Sequence, residues 1–523
     1  MINFLLILFI TISLSFGVGR FLKPTPAKIT LGNITQQALI ISFLFLSLTL
    51  IVQRPVFSGI AIVIFLIIMF GVSNTKLTAL REPMVFSDFS MFSQAFKHPR
   101  LYFPFLGLAP VIIMPLVIIG LIILVLTLEP AMAFTWQRVL ATIIALSILL
   151  FTLKNNALNT SLSLEPSTDN TRYGLINSVI AYFFQARTVS HRENIKNTLR
   201  TAPFYSAFSA KAKPDNAKKP ANITVIQSES FFDIRRLHPS IKTNILKSFD
   251  QCNSQSLHFG KLKVPAWGAN TMRTEFSFLT GLAYEDMGFY RYYPYEYLNK
   301  MPITSIASAL QKQGYYCVCI HPHPASFFGR DKIFPEMGFD EFIEGDSFDK
   351  KDTFGPYISD DAVAKKVLEI TQEKTAKPLF IFVITMENHG PLHLEKVTKE
   401  EHVEFFNADE NGENYSGNQP IQYLDELAIY CRHLKNADNM IKTLTQAYAS
   451  TANKTETLLC FYGDHIPSMP KTYQAFDYED SHSDYFIWHS KKDEELTKSK
   501  EGELLSVESL AELLLTNSNK LNQ

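Results

Sequence analysis

Seven side chains in the last two thirds of the chain could do chemistry together: Glu229, Thr271, His321, Arg330, His389, Asp464 and His465. Asp464 and His465 are adjacent, and they offer a hard carboxylate oxygen and a borderline imidazole nitrogen to a divalent cation. Taken alone, such a pair also fits a turn with a hydrogen-bonded histidine. Glu229, in Ser228-Glu229-Ser230, adds a second carboxylate; by itself it also suits the cap of a following helix. Thr271 follows Gly268-Ala269-Asn270 and precedes a helical pattern. A hydroxyl there sits where backbone N–H groups and the helix dipole favour negative charge, although an ordinary N-cap threonine has the same appearance.

These groups are scattered, so something must gather them. Four apolar runs do so: Ile223–Gln227, Tyr316–Ile320, Leu379–Ile384 and Leu458–Tyr462. They lead respectively into Ser228-Glu229, His321-Pro322-His323, Glu387-Asn388-His389 and Gly463-Asp464-His465. Short continuous runs of β-branched and aromatic residues, stopped by polar turns, read as buried strands of a parallel sheet. Ligands of open α/β sheets bind beyond the carboxyl ends of the strands. Helical patterns lie between the runs. Thr304 is expected to cap a helix ending at Gly314, Ser359 to open one to about Lys374, and Leu424, Leu427, Leu434, Ile441 and Leu444 to mark a longer one. The alternation predicts a mostly parallel central sheet sandwiched by helices.

A chain of 523 residues exceeds one ordinary core. Its 49 basic and 50 acidic residues nearly cancel, which argues against a nucleic-acid partner. The five cysteines, Cys252, Cys317, Cys319, Cys431 and Cys460, have no zinc-type spacing and read as small buried hydrophobes.

The first third is apolar. Five segments, Ile2–Val18, Ile34–Val52, Val56–Ser73, Phe105–Leu126 and Val139–Leu153, approach the roughly 20 residues that span a bilayer. They carry almost no ionisable residues, so an anchor is expected rather than an ion pathway. Tyr173–Phe184 suits a helix on the membrane surface, and residues 210–220 read as a linker. The expected division is a transmembrane domain of about five helices at 1–153, juxtamembrane helices and linker at 154–221, and an α/β domain at 222–523. Arg20, Lys23, Lys28, Lys76, Arg81, Lys97 and Arg100 fall in alternate loops, which by the positive-inside rule puts the C-terminal domain in the cytoplasm.

Spans, linker and strand-end residues together resemble the lipoteichoic acid synthases and related phosphoglycerol transferases, membrane-bound members of the alkaline phosphatase and sulfatase superfamily. The resemblance implies that Glu229, Asp464, His465 and Thr271 hold a metal, manganese first, with zinc or magnesium possible. Thr271, in Asn-Thr-Met-Arg-Thr-Glu-Phe, matches the family's nucleophile. His321 and Arg330, nine residues apart, resemble the segment that contacts the phosphoglycerol group, and His389 matches a further active-site histidine. Phe328 stands where the family often has tryptophan. Leu80–Asp88 is similar to a recurrent membrane-side segment. The implied reaction moves phosphoglycerol from a phospholipid donor to an envelope glycan or glycolipid through a phospho-threonine. On this reading Arg330 offers a bidentate fork to phosphate, and His321 or His389 protonates the departing oxygen. The implied location is the bacterial inner membrane, multi-pass, with the catalytic domain outside the cytoplasm, opposite to the charge rule.

Two rivals differ in class. A phosphoethanolamine transferase uses the same ligand types, but its usual Thr-Ser-x-x-Ser-like surroundings and cysteine pairs are missing. A catalytically silent membrane scaffold of the same fold needs none of these side chains. A sulfatase proper takes its nucleophile from Cys/Ser-x-Pro-x-Arg, which Thr271-Met-Arg-Thr-Glu275 does not match. The charged stretch Glu395–Asn418 fits either acceptor recognition or a solvated loop.

Overall fold

Apolar helices build a first unit, Met1–Glu193, and a mixed sheet builds a second, Asn194–Gln523. The computed structural model describes residues 2–26, 30–97, 99, 108–205, 220–298, 301–374, 376–407, 421–450, 455–491 and 501–521. Lys28, Arg100, the start of the expected fourth span (105–107), most of the expected linker (210–219) and residues 408–418 of the charged stretch lie outside them.

In the first unit the described part of each expected span falls in a helix: Ile2–Gly19, Leu31–Val52, Pro55–Leu80, Leu108–Leu128 and Trp136–Leu158. Thr30 caps the second by accepting the Asn33 N–H, and Pro55 opens the third where no N–H is needed. Leu31–Val52, Pro55–Leu80 and Trp136–Leu158 are long and apolar enough to cross a membrane. Ile41, Phe45 and Leu66 are wholly buried, whereas Phe9, Phe65, Ile143, Ile148 and Phe151 are exposed. Apolar side chains turned outward along helices suit lipid, where backbone groups must be satisfied within the segment. Within Tyr173–Phe184, Gly174 (φ 81°) separates Tyr173 from the helix Leu175–Gln185, which buries Leu175, Val179 and Tyr182 inside the unit and leaves Phe183 exposed. Its Gln185 Nε2 donates to the carbonyls of Ala157 and Thr160. Lys76, counted above among the basic loop residues, is paired with Glu82 at 2.7 Å and Asp88 at 2.8 Å.

Among the described residues the second unit holds ten strands: β1 Asn222–Ser228, β2 His258–Lys263, β3 Tyr316–Ile320, β4 Glu341–Ile343, β5 Thr353–Phe354, β6 Tyr357–Ile358, β7 Leu379–Ile384, β8 Thr457–Gly463, β9 Ser483–His489 and β10 Glu503–Ser506. Eight form one sheet in the order β10-β2-β9-β8-β1-β7-β3-β4, and β5 pairs with β6. From β8 to β4 all neighbours are parallel, so four chemistry-bearing strand exits share one end. β9 runs antiparallel to β8 and β2, a reversal the sequence did not predict.

Alternate side chains of the strands face opposite layers. Ile226, Val318, Ile381 and Phe461 pack with helices that include Asp360–Glu373 and Ile421–Ala449. On the other face, Phe278 of the helix Thr271–Thr280 stacks on Phe382 and Tyr462, with centroids 5.8 and 4.8 Å away. The sheet therefore anchors that helix through aromatic burial, which fixes the position of its first residue. The short helix before β3 runs Ile306–Lys312 and is capped by Ser305 in a capping box with Ser308, one residue later than the expected Thr304. Ser359 caps Asp360–Glu373 as expected. All five cysteines are free and buried.

Candidate active site and metal centre

β1 ends at Ser228, and the chain turns at Ser230 with φ 53°. Glu229 is thereby held at the sheet's carboxyl edge: its N–H donates to Thr385 Oγ1 (2.9 Å), and Asn388 Nδ2 donates to its carbonyl (3.2 Å). The neighbouring β8 ends at Gly463, where a Cβ would lie 1.8 Å from the Phe231 carbonyl oxygen. Only glycine permits that approach, and it brings Asp464 beside Glu229. Ser230 N–H donates to Asp464 Oδ1 at 2.8 Å.

Glu229, Asp464 and His465 are all buried, and one donor atom from each lies within 4.8 Å of the others. His465 Nε2 is 3.2 Å from Asp464 Oδ2 and 3.7 Å from Glu229 Oε1. Asp464 Oδ2 and His465 Nε2 are buried with no hydrogen-bond partner. His465 Nδ1 faces the Ile466 carbonyl at 3.0 Å, so the proton belongs on Nδ1 and the Nε2 lone pair is turned inward. Burial, then the charge of Asp464, pushes the Glu229 carboxyl up to about 8. Two carboxylates and an imidazole lone pair facing one another form the donor set of a divalent-cation site. The three residues fit a metal.

Thr271 is the first residue of its helix. It follows Asn270 in the left-handed region (φ 67°), and its Oγ1 lies 3.5 Å from Glu229 Oε2. His321 follows β3 and is buried; its Nδ1 is 3.0 Å from the Ile384 carbonyl at the end of β7. Its Nε2 lies 3.2 Å from Arg330 Nη1, and a guanidinium can only donate, so Nε2 accepts and Nδ1 carries the hydrogen. Burial, followed by Arg330, holds His321 well below the ordinary histidine value. His389 is half buried and donates Nδ1–H to the Gly390 carbonyl at 2.8 Å, which leaves Nε2 open. Burial lowers its value, and Asp464 is close enough to oppose that. Phe328 takes a left-handed conformation (φ 59°) and puts its ring 5.2 Å from the Arg330 guanidinium.

The predicted site residues thus come to the same sheet edge, where Arg330 has a carboxylate partner that the sequence analysis did not name. Its fork is on Glu275, with Nη2 2.9 Å from Oε2 and Nε 3.0 Å from Oε1, and both residues are buried. A guanidinium so held has its best donors committed to a carboxylate rather than to phosphate. Glu275 lay inside the Thr271 motif without being given a role. Its spacing of four from Thr271 was the available signal. The loop after β7 also holds a buried group that sequence reasoning missed. His433 Nδ1 bonds Glu387 Oε1 at 3.1 Å and its Nε2 bonds Glu395 Oε1 at 3.1 Å. Burial alone would lower His433, but the two carboxylates outweigh it and raise it to about 9.

A model of the sulfatase family matches residues 221–515, more than half of the chain. The chain belongs to the sulfatase family. Among curated relatives of this sulfatase-family chain, the capsular polysaccharide biosynthesis protein RkpI of Rhizobium meliloti (strain 1021) is 27% identical over 468 residues, covering 86% of this chain and 80% of that protein. Among solved structures, the integral membrane protein lipooligosaccharide phosphoethanolamine transferase A of Neisseria meningitidis superposes with a TM-score of 0.57 at 12% identity, covering 98% of this chain and 94% of that one. The match extends the shared architecture through the N-terminal helices. The Streptococcus pyogenes phosphoglycerol transferase GacH aligns with 62% of this chain and 79% of its own, at 20% identity and a TM-score of 0.45.

Proposed function

We propose that this sulfatase-family protein is a membrane-bound, metal-dependent phosphotransferase that moves phosphoglycerol from a phosphatidylglycerol-like lipid to an envelope glycan or glycolipid. The observation that carries the reading is the buried set Glu229, Asp464 and His465, with the Thr271 hydroxyl 3.5 Å from Glu229. Thr271-Met-Arg-Thr-Glu275 lacks the Cys/Ser-x-Pro-x-Arg pattern, so sulfate-ester chemistry is not proposed.

Glu229, Asp464, His465 and Thr271 would hold the cation, manganese in our reading. When bound, a divalent cation lowers the pKa of a nucleophilic hydroxyl and offsets charge on phosphate oxygens. The remaining steps belong to the chain. Thr271 loses its proton and its Oγ1 forms a bond to phosphorus. The bond from phosphorus to the diacylglycerol oxygen breaks, and that oxygen takes up a proton. An acceptor hydroxyl then displaces Thr271, and the proton flow reverses. His389 is the better carrier of that proton, because its Nε2 is open, whereas the Nε2 of His321 accepts from Arg330. Backbone N–H groups at the start of the Thr271 helix favour the phosphate.

Donor choice rests on charge. An ethanolamine headgroup is cationic and calls for a free carboxylate. Glu275, the carboxylate beside His321 and Arg330, is taken up by a guanidinium, which favours a neutral diol. The free state of all five cysteines points the same way. Against the positive-inside count, the family resemblance leads us to place the domain outside the cytoplasm with five membrane crossings. Reporter fusions near Pro220 check that placement, and an active cytoplasmic reporter contradicts it. For the donor, full-length protein in detergent with Mn²⁺ should release diacylglycerol from phosphatidylglycerol and not from phosphatidylethanolamine. Release from the second lipid alone would overturn the assignment.

A further inference from the structure

We infer that Glu275 is a positioning residue, acting through the Arg330 guanidinium to fix the ring orientation and tautomer of His321. The inference rests on the proposed phosphoglycerol transfer and on the headgroup contact that the family resemblance implies for His321. It begins with geometry. Glu275 lies four residues after Thr271 on the helix Thr271–Thr280 and is wholly buried. Its carboxylate receives Arg330 Nε and Nη2 together and the Tyr295 hydroxyl at 2.7 Å. A fork bound in this way has no rotational freedom, so Nη1 is aimed at a fixed point, 3.2 Å from His321 Nε2. The opposite ring nitrogen donates to the Ile384 carbonyl, the last residue of β7.

The chain of contacts crosses from the nucleophile's helix to the exits of β3 and β7. It ends beside Thr385, which accepts the Glu229 N–H. The partner bound by one imidazole nitrogen decides which nitrogen carries the proton. Arg330 cannot accept, so it excludes the Nε2–H tautomer. Without Glu275 the guanidinium loses its counter-charge and its anchor, and it has no reason to stay on His321.

The test compares wild type, Glu275→Gln, and the charge-neutral double variant Glu275→Met/Arg330→Met. The double variant is included because an unpaired buried guanidinium can prevent folding, whereas an apolar replacement of both partners is often tolerated. Full-length protein carrying ¹⁵N-histidine, with His321 assigned from a His321→Asn variant, should show one Nδ1–H tautomer in wild type and an averaged mixture in either variant. Turnover of phosphatidylglycerol should fall about 10²-fold in the variants. In Glu275→Gln, cleavage of bis(p-nitrophenyl) phosphate, which has no glycerol to position, should stay within about threefold. A purely structural role would lower both reactions in parallel. That result, or an unchanged His321 tautomer in both variants, overturns the inference. If wild type cleaves only the nitrophenyl ester, the donor assignment fails, while the tautomer spectrum still judges Glu275.

Discussion

Thr274 Oγ1 donates to the backbone carbonyl of Asp464 at 2.7 Å, and both residues are buried. One side chain thus ties the helix that begins at Thr271 to the turn that carries Asp464 and His465. Thr271 and the Asp464–His465 pair cannot drift apart without breaking a buried hydrogen bond, which costs roughly 1–3 kcal/mol when an acceptor is stranded. Thr274→Val should therefore lower turnover by about tenfold, since small misplacements of reacting groups are costly. Its melting temperature should fall by only a few degrees. Steady-state kinetics beside thermal melts check this, and unchanged turnover would mean that the tie does not matter.

Metal affinity should depend on pH through Glu229. Its carboxyl is raised to about 8 by burial and then by Asp464, so below that value a cation must displace a proton. Calorimetric titration of Mn²⁺ should show affinity rising about tenfold per pH unit up to that point and levelling above it. Flat affinity from pH 6 to 9 would remove Glu229 from the ligand set.

His433 should make stability pH-dependent in a defined sense. Its folded value, about 9, lies above the ordinary 6.5, so the folded state binds the proton more tightly. The contribution is complete below 6.5 and is lost as pH rises through about 9. His433→Gln should lower the melting temperature by about 5 °C at pH 6 and by much less at pH 10. Thermal melts of the two proteins across that range give the answer, and parallel curves would show that the buried Glu387–His433–Glu395 group stores no such energy.

Gly463→Ala should yield little folded protein. A Cβ there would meet the Phe231 carbonyl oxygen at 1.8 Å, and neither backbone can yield without moving β1 or β8. Expression and melting curves suffice, and a variant of normal stability would show that the β1–β8 exit can open.

Much of this was legible because buried parallel strands leave unbroken apolar runs: Tyr316–Ile320 and Leu379–Ile384 were read with their observed bounds, and the other two are one residue longer at each end than expected. β2 and β10 were missed for a physical reason. His258–Lys263 mixes charge with glycine, and Glu503–Ser506 is a mostly exposed edge strand, so neither carries a hydrophobic period. The site residues were readable one at a time, but their pairing was not. The family resemblance gave Arg330 a place at the phosphoglycerol group without naming what holds its side chain. Its partner Glu275 lies 55 positions earlier in the chain, and only the fold brings the two together. For Tyr173–Phe184 the amphipathic pattern showed that one face is covered, and the fold supplies the protein side of that cover at Leu175, Val179 and Tyr182.

Intact-protein and peptide mass spectrometry of the full-length chain, quenched after incubation with phosphatidylglycerol and Mn²⁺, tests the central claim most directly. The account predicts a phosphoglycerol adduct on the peptide containing Thr271, absent from Thr271→Ala, whose turnover should be lower by more than about 10³-fold. Sustained headgroup release by Thr271→Ala, or an adduct on any other residue, would contradict it.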